Sequence, residues 1–269
     1  MPFFRNAKRE RHVAQPGSSQ PWFEELPGRA ILSCELEEMA SLLPDLFGYH
    51  LVFVGAHPYV SLVDSSRVQH ASLIDTRSSG QAPVTSELPM VRASANDLPV
   101  GSDSVDVVVL PHVLEFEPRP HDALREAERV LVPEGHLLIS GFNPLSMLGL
   151  WQLAKRRRGQ PWSGKFMSMA RLRDWLTLLG FDIVTVRHRF FRPPIGNERF
   201  LAKTSRMEAV GTRAWPYLSG TYVVLARKRV TTVTPIRTRW RPRRRLVAVG
   251  LAEPSARSAD RARSVDDER

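Results

Sequence analysis

Short apolar runs alternate with amphipathic stretches along most of this chain, and that alternation constrains the fold more than any other feature. Residues 105–110, VDVVVL, form a nearly continuous apolar run, which is typical of a strand buried on both faces of a parallel sheet. Similar runs bring the predicted strands to seven: residues 51–54, 71–74, 89–93, 105–110, 136–140, 181–186 and 221–225. The sequence therefore predicts an α/β fold with a seven-stranded, mostly parallel sheet and helices on both of its faces.

The stretches between these runs have the spacing of helices with one apolar face. In residues 122–131 the apolar side chains fall at intervals of three and four, and Pro133 is expected to stop this helix. Ser168 has the position of an N-cap for a second helix over residues 169–179. Another helix is predicted at residues 35–43. Ligands of such sheets bind beyond the carboxyl ends of the strands, so functional residues are expected in the segments that follow them.

The net charge of +10 belongs mainly to the two ends of the chain. Residues 1–19 contribute +3, residues 231–269 contribute +5 and the remaining residues contribute +2 (10 − 3 − 5). Because residues 20–230 carry little net charge, the pattern argues against a folded domain whose main function is to bind phosphate groups. Apolar periodicity is absent before residue 22 and is lost after residue 230. We expect a flexible basic tail at residues 1–21, a folded domain at residues 22–230 and a disordered Arg-rich tail at residues 231–269.

The cysteines, the histidines and the hydropathy of the sequence each argue against particular kinds of site or segment. Cys34 is the only cysteine, which excludes an intramolecular disulfide and a multi-cysteine zinc site. The eight histidines lack His-x-x-x-His and His-Glu-x-x-His spacing, so no catalytic metal is expected. No apolar stretch approaches the roughly 20 residues that a membrane-spanning helix needs, and the first residues lack the apolar core of a secretory signal. A cytoplasmic protein without a transmembrane segment is expected.

A connected series of motifs occupies residues 94–135. Ser-Ala is followed by Leu-Pro-Val, by Val-Asp at the start of the strongest strand, and then by His-x-Leu-Glu. The next helix reads Leu-x-Glu-x-x-Arg-Val-Leu-x-Pro-x-Gly. This series resembles the class I S-adenosylmethionine-dependent methyltransferases of the type 11 branch, which includes the ubiquinone-biosynthesis methyltransferases. Residues 141–144 and 149–150 resemble an uncharacterised bacterial subgroup near these enzymes.

The resemblance implies a Rossmann-like fold, S-adenosyl-L-methionine as cofactor and methyl transfer to a small-molecule acceptor. It places the cofactor against six residues that follow predicted strands: Gly55, Ala56, Asp75, Ser94, Ala95 and Pro111. Gly55 begins a Gly-Ala-His-Pro segment where the family has a glycine-rich run that lets the backbone approach the cofactor. Ser94 stands where the family has an acidic or amide side chain facing the adenine. Asp75 lies 20 residues after Gly55, near the offset of a ribose-binding carboxylate, and the alternative for it is an ordinary turn residue.

The candidate catalytic residue is His112, which follows the strongest strand where the resemblance places the donor methyl group. It would act as a base or contact the cofactor, and the alternative is a hydrogen-bonded structural histidine. Glu115 either faces the acceptor or has a structural role, which we favour. Glu126 and Arg129 are interpreted as a pair on one helix face. Segment 142–167 is either a lid or wall of the acceptor site or a solvated helix end with cations near its C-terminus.

The nine residues from Arg237 to Arg245 hold six arginines and one tryptophan. Such a run binds nucleic acid or an anionic surface in some proteins, and a solvated basic tail is the commoner alternative. Three functions are open: an S-adenosylmethionine-dependent methyltransferase, a non-catalytic module on the same fold, and an RNA methyltransferase guided by the basic tails. The motif series favours the first hypothesis, and the single glycine after the first strand favours the second.

Overall fold

The computed structural model describes residues 23–55, 57–76, 88–156, 164–194, 204 and 206–229. These residues contain seven strands in one sheet: β1 (His50–Val54), β2 (His70–Asp75), β3 (Met90–Arg92), β4 (Val105–Pro111), β5 (Leu131–Phe142), β6 (Phe181–Arg189) and β7 (Thr221–Lys228). Their order is β3-β2-β1-β4-β5-β7-β6. The strands β1 to β5 pair in parallel, whereas β7 runs antiparallel to both β5 and β6. The predicted seven-stranded, mostly parallel α/β fold is confirmed.

Helices cover both faces of this sheet, as predicted. The α-helices are α1 (Gly28–Leu42), α2 (Pro120–Val130), α3 (Met147–Arg156), α4 (Met169–Leu178) and α5 (Arg206–Ala214). The described residues also contain three 3₁₀ helices: Leu43–Asp45 after α1, His57–Ser65 after β1 and Pro216–Leu218 before β7. Side chains of α1 and of the 3₁₀ helix His57–Ser65 form the core on one face, and those of α2 and α4 form it on the other. Within the described part of the chain, no helix is long and apolar enough to cross a bilayer.

The local signals of two helices are borne out by their contacts. The apolar stripe of α2 is buried against the sheet, with four of its side chains in the core: Ala123, Leu124, Ala127 and Val130. Ser168 caps α4, because its hydroxyl oxygen accepts a hydrogen bond from the backbone N–H of Arg171 at 3.3 Å. Helix α1 begins earlier than expected, since Ile31 already lies on its buried face.

The end of α2 differs from the expectation. The helix ends at Val130 and the backbone is already extended at Leu131, so Pro133 lies inside β5 rather than in a loop. Strand β5 pairs with β4 at Leu131 and next at His136, and this register shift leaves Pro133 in a bulge. A proline is tolerated there because the ladder does not use its missing N–H group.

The crevice between β1 and β4 is the switch point of the sheet. The chain continues from β1 to β2 on one side and from β4 to β5 on the other, so the segments leaving β1 and β4 diverge. Ligands of open α/β sheets bind outside the carboxyl ends of the strands at such a point. The residues that follow β1, β2, β3 and β4 therefore belong to one candidate binding edge.

Candidate functional site

Gly55 ends β1 in a backbone conformation that favours glycine. Its φ angle is 66°, and its N–H donates a hydrogen bond to the carbonyl oxygen of Ile74 at 2.7 Å. A Cβ atom at this position would lie 2.9 Å from the hydroxyl oxygen of Thr76 and 3.3 Å from a methyl group of Val113. A side chain is therefore disfavoured both by the backbone angle and by the space available. The exits of β1, β2 and β4 meet closely at Gly55.

Asp75 is the last residue of β2, and its side chain is fully buried. One carboxylate oxygen lies 3.3 Å from both the Nε and an Nη atom of Arg92, which is the last residue of β3. The next residue, Thr76, has a buried hydroxyl with no hydrogen-bond partner among the residues described. The end of β2 therefore holds a carboxylate and an unsatisfied hydroxyl side by side.

The segment after β3 forms a tight turn at the same edge. Ser94 forms an isolated antiparallel bridge with Asp97, and its hydroxyl accepts the N–H of Asn96 at 3.2 Å. Ala95 is buried, whereas Ser94 is exposed. The side-chain amide of Asn96 donates to a carboxylate oxygen of Glu117 at 2.8 Å, while its own carbonyl oxygen is buried without a partner in the described structure. This turn thus offers a second unsatisfied acceptor near the crevice.

Glu126 and Arg129 do more than pair on one helix face, which corrects the interpretation from sequence. The two side chains pair at 2.8 Å, and Glu126 also accepts the backbone N–H of Leu98 at 3.0 Å. The guanidinium of Arg129 donates to the carbonyl oxygens of Leu98 and Val100, each at 3.0 Å. The hydrogen bond from Arg129 lowers the pKa of Glu126. The pair therefore holds the loop after β3 against α2.

Substitution of Arg129 by alanine is expected to lower the free energy of unfolding by about 2 kcal/mol, because two loop carbonyls and Glu126 lose a charged donor. Denaturation in urea measures this loss. Arg125→Ala is the matched control, since Arg125 lies on the same helix with a 66% exposed side chain and reaches Asp122 only at 4.0 Å. Equal effects of the two substitutions would show that the loop contacts contribute nothing.

His112 is the centre of a buried cluster at the carboxyl end of β4. Its Nε2 atom lies 2.8 Å from an oxygen of Glu35, and its Nδ1 atom lies 3.4 Å from an oxygen of Glu115. The hydroxyl of Tyr59 donates a hydrogen bond to the same Glu35 oxygen, and the N–H of Phe142 donates to Glu115 at 2.7 Å. The Phe142 ring stacks on the imidazole with 3.9 Å between ring centroids. This cluster joins α1, the helix after β1, and the ends of β4 and β5.

The two carboxylates decide the charge of His112. Burial by itself lowers the pKa of His112, but the charges and hydrogen bonds of Glu35 and Glu115 outweigh it and raise that pKa to about 10. At neutral pH the ring is an imidazolium with a carboxylate at each nitrogen. Such a ring cannot accept a proton, so the geometry favours the structural alternative over a catalytic base.

Glu35 is the functional-site residue that sequence reasoning missed. It lies 77 positions before His112, and no spacing rule connects the two. The available signal was its place on the apolar face of α1, together with Ile31 and Met39, where a carboxylate requires a partner. One oxygen of Glu35, one oxygen of Glu115 and the hydroxyl of Ser140 are buried without hydrogen-bond partners in the part of the chain described.

A cavity of about 310 Å³ opens beside this cluster. Its walls come from the segments after β4 and β5 and from the first turns of α2 and α4: Leu114, Glu117, Pro118, Pro120, Pro144, Lys165, Phe166, Met167, Ser168, Arg171 and Trp175. The ring of Phe166 stacks on Phe142 with 4.9 Å between centroids, and Phe142 in turn stacks on His112. Two aromatic rings therefore separate the cavity from the centre of the buried cluster.

Backbone contacts hold the wall residues of segment 142–167 in place. The N–H of Lys165 donates to the carbonyl oxygen of Glu115 at 2.7 Å, and the Tyr222 hydroxyl donates to the carbonyl oxygen of Met167 at 3.0 Å. Part of this segment therefore forms a wall of the cavity. The side chains of its run from Lys155 to Arg158 lie outside the described residues.

Most of the sequence-predicted site residues lie at one edge of the sheet. Gly55 follows β1, Asp75 ends β2 and Ser94 follows β3. At β4, Pro111 is the last residue of the strand and His112 follows it. Ala56 and the residues from Arg237 to Arg245 lie outside the residues that the structure describes. The sheet topology thus brings together residues that are far apart in the chain.

A family model and a curated protein each match part of this chain. Residues 55–139 match a family model described as a methyltransferase domain. The chain is also 36% identical over 140 residues to the uncharacterized protein YafS of Escherichia coli K12. This alignment covers 52% of the chain and 55% of the relative, so the chain spans about half the length of the curated relative that it matches.

Two solved structures with the same fold are described as S-adenosylmethionine-dependent methyltransferases. One, from Thermotoga maritima, superimposes with a TM-score of 0.55 at 17% identity, covering 78% of this chain and 94% of its own. Another, from Archaeoglobus fulgidus, has a TM-score of 0.54 at 16% identity, covering 78% of this chain and 100% of its own. At this level of identity the likeness concerns the fold.

The candidate edge has groups that fit a nucleoside cofactor. Gly55 lets the exits of β1, β2 and β4 approach one another at the switch point, and Asp75 places a carboxylate at the end of β2. Beside them, Thr76 and Asn96 each have a buried polar atom that a ligand could satisfy, since neither atom has a partner in the described residues. Residues 55–139 therefore resemble a methyltransferase domain in sequence, and the described chain has the fold of these solved S-adenosylmethionine-dependent methyltransferases.

Proposed function

We propose that this protein transfers the methyl group of S-adenosylmethionine to a small-molecule acceptor bound in the cavity beside β4 and β5. The observation that carries the proposal is the position of this cavity, next to the carboxyl ends of the strands that frame the cofactor edge. Its volume of about 310 Å³ lies in the range of pockets that take small molecules. Apolar and aromatic walls with Glu117, Lys165 and Arg171 suit an acceptor that is largely apolar and carries a few polar groups.

The residues of the cofactor edge have separate parts in this proposal. Gly55 and Ala56 would let the backbone approach the methionine portion, and Asp75 would face the ribose hydroxyls. Ser94 and Ala95 would border the adenine, and Pro111 would border the same edge as the last residue of β4. The bound cofactor supplies an electrophilic methyl group on a sulfonium. The chain then has to align the acceptor with that group and exclude water, which by itself provides much of the rate.

His112 serves this function as a positioning residue. Through Glu35 and Glu115 it holds α1 and the end of β5 against the exit of β4, where the donor and the acceptor would meet. The acceptor proton, where there is one, would be lost to solvent or to a group of the acceptor itself.

Methyl transfer is tested with S-adenosylmethionine carrying a radiolabelled methyl group, purified full-length chain and a heat-treated cell extract, which is separated into small-molecule and macromolecular fractions after the reaction. We expect label in the small-molecule fraction, and a rate lower by about tenfold or more in Phe166→Arg, whose side chain would enter the cavity. Phe47→Arg is the matched control, since Phe47 is 64% exposed and does not line the cavity. Label found only in macromolecules, or an unchanged rate in Phe166→Arg, would contradict the proposal.

A second candidate is a non-catalytic binding or regulatory module on the methyltransferase fold. The single glycine after β1 favours this non-catalytic alternative. The ring of Phe23 also favours it, because its centroid lies 5.5 Å from that of His112 at the cofactor edge. In this alternative the residues from Arg237 to Arg245 would contact RNA or an anionic surface. If the protein is a non-catalytic module, no label is transferred to any fraction, whether or not the cofactor binds.

A further inference from the structure

Glu117 places a buried carboxylate in the wall of the cavity beside β4 and β5. The residue lines this cavity although it is only 8% exposed. Its carboxylate has one hydrogen-bond partner among the described residues, the side-chain amide of Asn96 at 2.8 Å, and it forms no ion pair with any of them. A buried carboxylate is costly unless a cation or several donors compensate its charge.

The cations nearest to Glu117 do not supply this compensation. Arg119, two positions away, pairs with Asp122 at 3.1 Å and has a 73% exposed side chain. Lys165 and Arg171 line the same cavity, but both are exposed. The cavity therefore has a buried carboxylate and two cationic side chains that extend into solvent.

The pKa of Glu117 reflects this imbalance. Burial raises the pKa of its carboxyl, and the hydrogen bond from Asn96 and the charge of Arg119 offset the effect only in part. A cation bound at the carboxylate would lower this pKa and compensate the buried charge.

The turn after β4 fixes the position of the carboxylate before any ligand arrives. The backbone N–H of Glu117 donates to the carbonyl oxygen of Val113 at 3.1 Å, and Pro118 restricts the backbone of the residue before it. Asn96 holds one carboxylate oxygen from the side of the loop after β3. An acceptor bound at Glu117 would thus contact the loop that borders the cofactor edge.

The surroundings of Glu117 favour an organic cation over a metal ion. Leu114, Met167 and Trp175 line the same cavity and are largely apolar. In the part of the chain that the structure describes, no group of three or more His, Cys, Asp or Glu could hold a metal ion. An ammonium group, in contrast, needs only one carboxylate for a charge-assisted hydrogen bond, and the apolar walls would contact the rest of the molecule.

We propose that the methyl acceptor carries an amino group, protonated at neutral pH, and that Glu117 binds this group inside the cavity. Glu117 is then the residue that determines specificity, because a neutral molecule of the same shape would leave the buried carboxylate uncompensated. This proposal rests on the methyl-transfer function, and it adds the chemical class of the acceptor.

Chemical acylation of the heat-treated extract tests the amino group without altering the protein. Acetic anhydride converts amines into neutral amides, and hydroxylamine then removes acetyl groups from hydroxyls and thiols. In the assay with labelled S-adenosylmethionine we expect label in the small-molecule fraction of untreated extract and about tenfold less, or lower, after acylation. Extract treated with reagent that was hydrolysed beforehand is the control.

Glu117→Gln tests the residue itself. Glutamine keeps an oxygen that can accept the hydrogen bond from Asn96, but it removes the charge, so transfer into the small-molecule fraction should fall by about tenfold or more. Glu134→Gln is the matched control, since the Glu134 side chain is 54% exposed and does not line the cavity. Calorimetry with S-adenosylmethionine and circular dichroism verify that each variant keeps its cofactor site and its fold.

Three results would overturn the assignment of Glu117 and leave methyl transfer standing. Label that survives acylation would exclude an essential amino group. Equal transfer by Glu117→Gln and the unchanged chain would remove the role of the carboxylate, and loss of S-adenosylmethionine binding in Glu117→Gln would assign the residue to the cofactor edge. Absence of label from the small-molecule fraction of untreated extract would instead contradict the methyl-transfer function, and the proposal for Glu117 with it.

Discussion

Substitution of Glu35 by alanine is expected to lower the free energy of unfolding by about 3 kcal/mol, because the buried imidazolium of His112 loses the closer of its two carboxylate partners. His112 would keep only Glu115, whose oxygen lies at the longer distance of 3.4 Å, and the Tyr59 hydroxyl would lose its acceptor. Urea denaturation of both proteins measures the difference. Glu37→Ala is the control on the same helix, since Glu37 is exposed.

The same substitution is expected to flatten the pH dependence of stability. The pKa of His112 is raised from 6.5 to about 10 in the folded protein, so its stabilising contribution is fully present below pH 6.5 and is lost as the pH rises toward 10. In that window the unchanged protein should lose up to about 1.4 kcal/mol per pH unit through this group. Parallel stability curves for Glu35→Ala and the unchanged chain would contradict the imidazolium at position 112.

Sequence periodicity predicted the sheet because each strand carries its own signal. The run at residues 105–110 became the central strand β4, and Ser168 capped α4 as its position indicated. The strand and the helix cap each depend on residues that are close together in the sequence, so the sequence pattern alone can indicate them. The start of β5 was harder to predict, since the bulge at Pro133 depends on the register with β4 rather than on local sequence.

The site was only partly predictable, because its contacts join distant parts of the chain. The motif series placed His112 and Glu115 after β4, but the second carboxylate at the imidazole, that of Glu35, depends on tertiary packing. Glu35 reaches it across 77 positions, and Arg129 reaches the carbonyl of Leu98 across 31. Helix spacing explained the pair of Glu126 and Arg129 on one helix, but it could not reveal the loop that both side chains hold.

The second large effect is expected at Gly55. Tryptophan at this position would have to adopt a φ angle of 66° and would fill the crevice between the exits of β1, β2 and β4, so S-adenosylmethionine binding should be lost. Gly180→Trp is the matched control. Gly180 also has a positive φ angle, 80°, but a Cβ atom there would meet nothing within 4 Å. The two variants share the backbone strain and differ in the position of the added ring.

Titration calorimetry of S-adenosylmethionine and S-adenosylhomocysteine against the full-length chain tests the cofactor site most directly. We expect binding in the micromolar range to the unchanged protein and to Gly180→Trp, weaker binding to Asp75→Ala, and no measurable binding to Gly55→Trp. Circular dichroism of each variant separates loss of the site from loss of the fold. Absence of binding to the unchanged chain at millimolar ligand, or equal binding to Gly55→Trp and Gly180→Trp, would contradict a cofactor site at the β1–β4 crevice.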